Sequence, residues 1–261
     1  LLFGKDPRVR FKQAVLKAHV DYGTGRVEPV NFDQPLVLVP DLLEAWLKKS
    51  LPLSKDTSKF KRSDTPDFPI PVLREAVINA LIHRDYSIEG AKSSLEINNE
   101  KIQVRSPGGP LSSISIEQLN TFRAPSISRN PILSYVFNLM GYMEETGFGM
   151  RTFKEMTRKY GLPSPEYSLR GPFLDLTFPR TLDVVAKISR HRAISQLSSQ
   201  EVAGFEWIKS RDEVSTKEYA VHFGYSQRTA TRHLVKMHRL RLLADNGENQ
   251  KSPKLNYRYR G

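Results

Sequence analysis

From Leu73 to Tyr86 the chain reads LREAVINALIHRDY, and at 100° per residue Leu73, Ala76, Val77, Ala80 and Leu81 fall on one face of a helix. Glu75, Asn79 and His83 line up beside that face at i, i+4 and i+8. A helix patterned this way has to lay its apolar side on another layer, and the residues that follow supply one. SSLEI and KIQVR alternate around the turn NNE, which predicts a hairpin with Leu95, Ile97, Ile102 and Val104 facing inward. The polar stripe has two readings. Its residues either bond neighbouring backbone at the core boundary or serve a site.

Other segments extend the same order. VRFKQAVLKAHVDY (9–22) predicts a strand followed by a glycine-rich turn, and VPDLLEAWLKKSL (39–51) a helix with Asp41 in its first turn and lysines near its end. SKDTSKFKRSDTPDFP predicts a loop with a short strand. After SPGGP, Ser128 is the expected cap of a helix opening RNPILSYVFNLM, with Pro131 in its first turn. RTFKEMTRKYG predicts a helix closed by Gly161, and EYSLRGPFLDLTF two strands about Arg170–Gly171. The expected fold is an α+β sandwich over 1–180, followed by a polar, basic connector at 181–197 and a small domain at 198–261.

The last fifth of the chain carries more than half of the net charge. The chain has a net charge of +12, and from Val214 to Gly261 ten basic residues stand against three acidic ones. SSQEVAGFEWIKSR, STKEYAVHFG and SQRTATRHLVKMHRL predict three short helices, and the strand pattern around NGENQKSPK a terminal hairpin. There is no cysteine, which excludes disulfides and cysteine-ligated metals and suits a reducing cytoplasm. No apolar run is long enough to span a membrane, so no membrane partner is expected. The opening LLFGKDP lacks an initiating methionine and reads as a cut inside a longer protein.

The succession EAVINALIHRDY, SPGG, SRNP and ETGFGM resembles the GHKL ATPases. More closely it resembles the ATP-binding, HATPase-like C-terminal region of bacterial AlbA/Schlafen-type transcriptional regulators, proteins sometimes labelled RecG-related helicases. The likeness covers roughly residues 1–180, and in that family an AlbA-like DNA-binding domain precedes the region. It implies ATP and Mg²⁺ as ligands, with Asn79 orienting the metal and Glu75 polarising the attacking water; His83 lies one turn further on. Ser106, Gly108 and Gly109 stand at the hairpin end, where the ATP-binding enzymes have an aspartate that reads adenine. A hydroxyl is a poorer acceptor than a carboxylate. Gly147 and Gly149 would let backbone N–H groups approach phosphates, or simply make a tight turn. Arg129 and Asn130 would reach a phosphate or anchor a helix start. A helicase motor is not expected, because no GxxxxGK[ST] loop occurs.

The C-terminal pattern resembles a winged helix-turn-helix. That likeness implies DNA contact through Ser226, Gln227, Arg228, Thr229, Arg232 and Lys236 on the third helix and Lys251 and Lys254 in the wing. The expected protein is a bacterial cytoplasmic DNA-binding regulator with an ATP-binding domain. Two other readings stand beside it. One is an ATPase of a repair or defence assembly. The other is a protein-interaction module with a degenerate pocket, in which the winged helix makes a homodimer.

Overall fold

In the computed structural model the hairpin predicted after the helix is β5 (Ser93–Asn98) and β6 (Lys101–Pro107), with Leu95 opposite Val104 and Ile97 opposite Ile102. All four are buried. The structure describes all residues except 22, 24–26, 28, 52, 57–62, 67, 144–147, 182–184, 186–189, 191–192, 250–251, 253–254 and 261, and describes only the backbone at 53–56, 63–66, 148–151, 157 and 158. The chain divides into two units, Leu1–Val184 and Val185–Gly261.

The first unit is built on a six-stranded sheet. β1 (Leu16–Asp21) runs parallel to β5, and β2 (Val30–Phe32) lies antiparallel outside β1. On the other side β6 pairs with β8 (Phe173–Pro179), and β7 (Glu166–Arg170) closes that edge, giving the order β2-β1-β5-β6-β8-β7. The period-2 pattern holds across four strands. Leu16 and Ala18, Leu95 and Ile97, Ile102 and Val104, and Leu176 and Phe178 all point into one core.

Helices cover that face. α1 (Val39–Ser50) packs on α2 (Ile70–Ile82), and α2 lies over β5 and β6 and against α5 (Phe148–Tyr160). α2 is the central helix because nearly all of it is apolar, with Val72, Leu73, Val77 and Ile82 fully buried. It starts at Ile70, with Pro71 in the first turn where a missing N–H is harmless. It ends at Ile82, so His83 caps the helix and is not part of it.

Several expectations are corrected. The first strand is only Leu16–Asp21, because Pro7–Val9 forms a 3₁₀ turn. The polar segment after α1 contains two strands, β3 (Leu53–Asp56) and β4 (Ser63–Pro66), paired antiparallel. A short helix missing from the sequence reading, α3 (Ile116–Asn120), carries a full capping box between Ser115 and Gln118. α4 (Pro131–Leu139) is capped at Asn130, not Ser128, whose hydroxyl instead accepts from the Asn130 N–H.

In the second unit, capping boxes open α6 (Ser199–Lys209) and α7 (Thr216–Phe223), and Ser226 caps α8 (Gln227–Arg239). Gly224 adopts φ 67° and turns the chain between α7 and α8. The terminal hairpin is β10 (Leu243–Asp245) and β11 (Asn256–Tyr259), and it gains a third strand because β9 (Val214–Ser215) pairs with β11. Phe205, Ile208, Tyr219, Leu234 and Met237 centre a separate core.

That core contains a position with no room for a side chain. A Cβ at Gly204 would overlap the Tyr219 hydroxyl and stand 2.6 Å from Tyr219 Cζ. The tyrosine cannot swing aside, since it is fully buried among Trp207, Phe223, Tyr225 and His233. Gly204→Ala is therefore expected to destabilise the second unit by about 2–3 kcal/mol. A thermal melt unchanged by the substitution would show that this packing is loose.

Candidate functional site

Below the Pro107–Pro110 turn, between α2 and the inner faces of β6, β7 and β8, lies a cavity of about 150 Å³. Its walls are mostly aliphatic, including Ala76, Ala80, Val104, Leu174 and Leu176. Six polar side chains interrupt them along with Tyr167: Glu75, Asn79, His83, Ser106, Ser126 and Arg129. Five of those six belong to the residues predicted from sequence, and four separate segments deliver the set.

The Glu75–Asn79 pair is made by helical spacing. One turn apart on α2, the two side chains meet, and Asn79 Nδ2 donates to Glu75 Oε1 at 2.9 Å. That bond leaves the Asn79 amide oxygen as the atom available to a ligand. Burial pushes the Glu75 carboxyl above the usual range, against the opposing effects of the Asn79 hydrogen bond and the nearby Arg74 charge. Tyr167, from β7, faces the same acid; burial first, and the Glu75 charge second, hold its phenol well above its ordinary value.

At the other end stand His83 and Arg129. Burial, with the guanidinium of Arg129 adding to it, lowers the His83 pKa and so favours the neutral imidazole. Arg129 donates from Nη2 to the Gly109 carbonyl at 2.8 Å and from Nη1 to Asp85 at 3.4 Å. Its Nε–H is buried without a hydrogen-bond partner. A donor left in that state fits an anionic group entering the cavity.

Backbone geometry fixes the turn over the cavity. Gly108 adopts φ 99°, a conformation closed to most L residues, and a Cβ there would come within 2.7 Å of Asp85 Cβ. The Asp85 N–H donates to the Pro107 carbonyl, and Gly108 N–H to the Pro172 carbonyl. Asp85 itself is held ionised, first by hydrogen bonds from Ser87 and then by the charges of Arg129 and Arg84. Ser106 Oγ donates to the Ala80 carbonyl at 2.6 Å. With its hydrogen committed, this hydroxyl can act toward a ligand only as an acceptor.

Two further predicted residues have other placements, and a third is not described. Asn130 is absent from the cavity lining, and its amide donates to the Ile82 and Arg84 carbonyls, satisfying the end of α2. It anchors a helix and leaves no amide hydrogen for a phosphate. Gly149 lies in the first turn of α5. Gly147 is outside the described residues. Tyr167 and Asp85 were missed as site residues. Inward alternation in EYSLR was the available signal for Tyr167, whereas nothing in the local pattern marks Asp85 as the neighbour of Gly108.

In the second unit, α8 buries Ala230, His233, Leu234 and Met237 and exposes Gln227, Arg228 and Arg232. Ser226 Oγ accepts from the Thr229 N–H and bonds the Thr229 hydroxyl, so both serve the helix start. Lys236 has an acidic partner inside the unit. Its ammonium lies 2.6 Å from Glu201, a buried carboxylate, and ties α8 to α6. Lys251 and Lys254 lie outside the described residues. Beneath this helix His233 is 2 % exposed, with Nδ1 3.3 Å from the Tyr219 hydroxyl, and burial lowers its pKa. Its stabilising contribution is present above the unfolded value of about 6.5 and is lost as pH falls toward the folded pKa. The melting temperature of this unit should drop between pH 7.5 and 5, and His233→Gln should flatten that dependence.

This geometry defines a two-layer α/β unit with an apolar, polar-rimmed cavity, followed by a small basic helical unit with a three-stranded sheet. Residues 90–178 match the family described as "Putative ATP-dependent DNA helicase recG C-terminal", a HATPase-type region. The chain is also similar in fold to the crystal structure of the DIP2311 protein from Corynebacterium diphtheriae, at 18% identity and a TM-score of 0.55. The alignment covers 96% of this chain and 52% of that one, so the chain spans about half the length of that structure. No curated protein matches. Among the described residues no helix is long and apolar enough to cross a membrane.

Proposed function

We propose that the first unit is a GHKL-like domain whose cavity binds Mg-ATP, that the second is a winged helix-turn-helix that binds duplex DNA, and that the chain is a DNA-binding regulator. The observation that carries the reading is the hydrogen-bonded Glu75–Asn79 pair in an apolar cavity whose far end holds Arg129 with an unused buried donor. Asn79 would hold the metal through its amide oxygen, a hard neutral ligand suited to an ion that keeps most of its waters. Bound Mg²⁺ would supply charge neutralisation of the phosphates. Arg129 would meet phosphate, the aliphatic wall would take the base, and Ser106 would accept one hydrogen bond from it. The ATP-dependent description of the matched family supports the nucleotide, and the exposed arginines of α8 support the DNA.

The raised pKa of Glu75 favours a second reading in which hydrolysis itself is the output, since a less acidic carboxylate is a better base toward water. Thermal shift with ATP, ADP and Mg²⁺, run beside binding to random duplex DNA, tests the proposal. A Mg-dependent rise in melting temperature is expected, together with salt-sensitive DNA binding. Absence of both would leave an interaction module with a degenerate pocket. Phosphate release that is lost in Glu75→Gln while nucleotide binding persists would identify the ATPase.

A further inference from the structure

One helix of the first unit is apolar on both sides. α4 buries Leu133 and Phe137 in the core, yet Ile132, Tyr135 and Leu139, at i, i+3 and i+7, form a second stripe that is 72, 57 and 68 % exposed. Met140, at the cap, is also exposed. The Tyr142 hydroxyl then donates to Asp41, tying the end of α4 to the first turn of α1, where Leu38 and Leu42 are exposed as well. Isolated surface leucines need no explanation, but a run of this kind marks an interaction surface.

We infer that this face pairs with the same face of a second copy of the chain, α4 against α4 about a twofold axis. Charge selects that partner. The chain carries a net +12, so most approaches of one copy to another are repulsive. From Asn130 to Met143 the sequence contains no Asp, Glu, Lys or Arg, so α4 itself brings no like charges together, and the acid beside it, Asp41, accepts from the Tyr142 hydroxyl. An acidic partner would find nothing to pair with on this surface. A straight stripe is also self-complementary, because two such helices crossing at Tyr135 place Ile132 of each opposite Leu139 of the other. The exposed apolar area is on the order of 500 Å² per copy. That is somewhat below the roughly 800 Å² per partner of a standard stable interface, the size of a weak, reversible contact.

The whole chain, studied by sedimentation velocity from low to high micromolar concentration, should show a monomer–dimer equilibrium that tightens with added salt as the net charge is screened. Leu139→Glu and Ile132→Glu should each weaken dimerisation at least tenfold, while Val221→Glu, at an equally exposed position in the second unit, should not. Matching melting curves would confirm that the variants are folded. Because the chain has no cysteine, Tyr135→Cys should give an oxidised dimer and Val221→Cys should not. The inference is overturned by a chain that stays monomeric throughout, by a dimer that dissociates as salt rises, or by one that survives both glutamate variants.

Discussion

Asn79→Ala should abolish the stabilisation of this chain by Mg-ATP while lowering its stability in plain buffer by about 2 kcal/mol. The two effects separate because the side chain has two jobs on different atoms. Its Nδ2 donates to Glu75, and losing one hydrogen bond to a partly buried carboxylate costs about that much. Its oxygen is the proposed metal ligand, and nucleotide at a hundred times its Kd would add about 2.7 kcal/mol, all of which should vanish. Glu75→Gln is the matched control. It removes the base but keeps an acceptor for Asn79, so the ligand-induced shift should remain. If Asn79→Ala instead unfolds, and the parent chain shows no shift with any nucleotide, Asn79 is a boundary residue and the cavity reading falls.

Legibility in the sequence followed the range of the interaction. The hairpins β5–β6 and β7–β8 were readable because one buried face imposes a period of two on consecutive residues, and Leu95, Ile97, Ile102 and Val104 obey it. α2 was readable for the same reason at a period of 3.6. α3 was not, since five residues are too few for a period, although its Ser115–Gln118 capping box was present in the sequence. Glu75 and Asn79 stood out because their spacing is local. The roles of Asn130 and Lys236 did not. Asn130 is committed to Ile82 and Arg84, and Lys236 to Glu201, partners more than thirty positions away that local spacing cannot reveal. The same long-range pairing explains why a lysine on the predicted DNA-binding helix is a structural clasp, whereas the two arginines ahead of it are exposed.

Those arginines carry the second large effect. Replacing Arg228 and Arg232 together with alanine should reduce duplex DNA binding by more than tenfold at low salt and flatten its salt dependence. Each stands on the exposed side of α8, four residues apart, and neither forms an ion pair among the described residues. If the helix and wing neutralise about four phosphates, log K should fall against log salt with a slope of roughly −3.6, and Arg232→Ala alone should reduce that slope by about one. Arg228 sits at the start of the helix, where a guanidinium reaches a base edge, so Arg228→Ala should cost about 1–3 kcal/mol at a preferred site and less on random sequence. Lys236→Ala provides the contrast. It should leave the salt slope unchanged, because its charge is spent on Glu201, and should instead lower the melting temperature by stranding that buried carboxylate. Binding that is indifferent to both arginines, in a variant whose melt is normal, would remove α8 from the interface and with it the DNA-binding reading of the second unit.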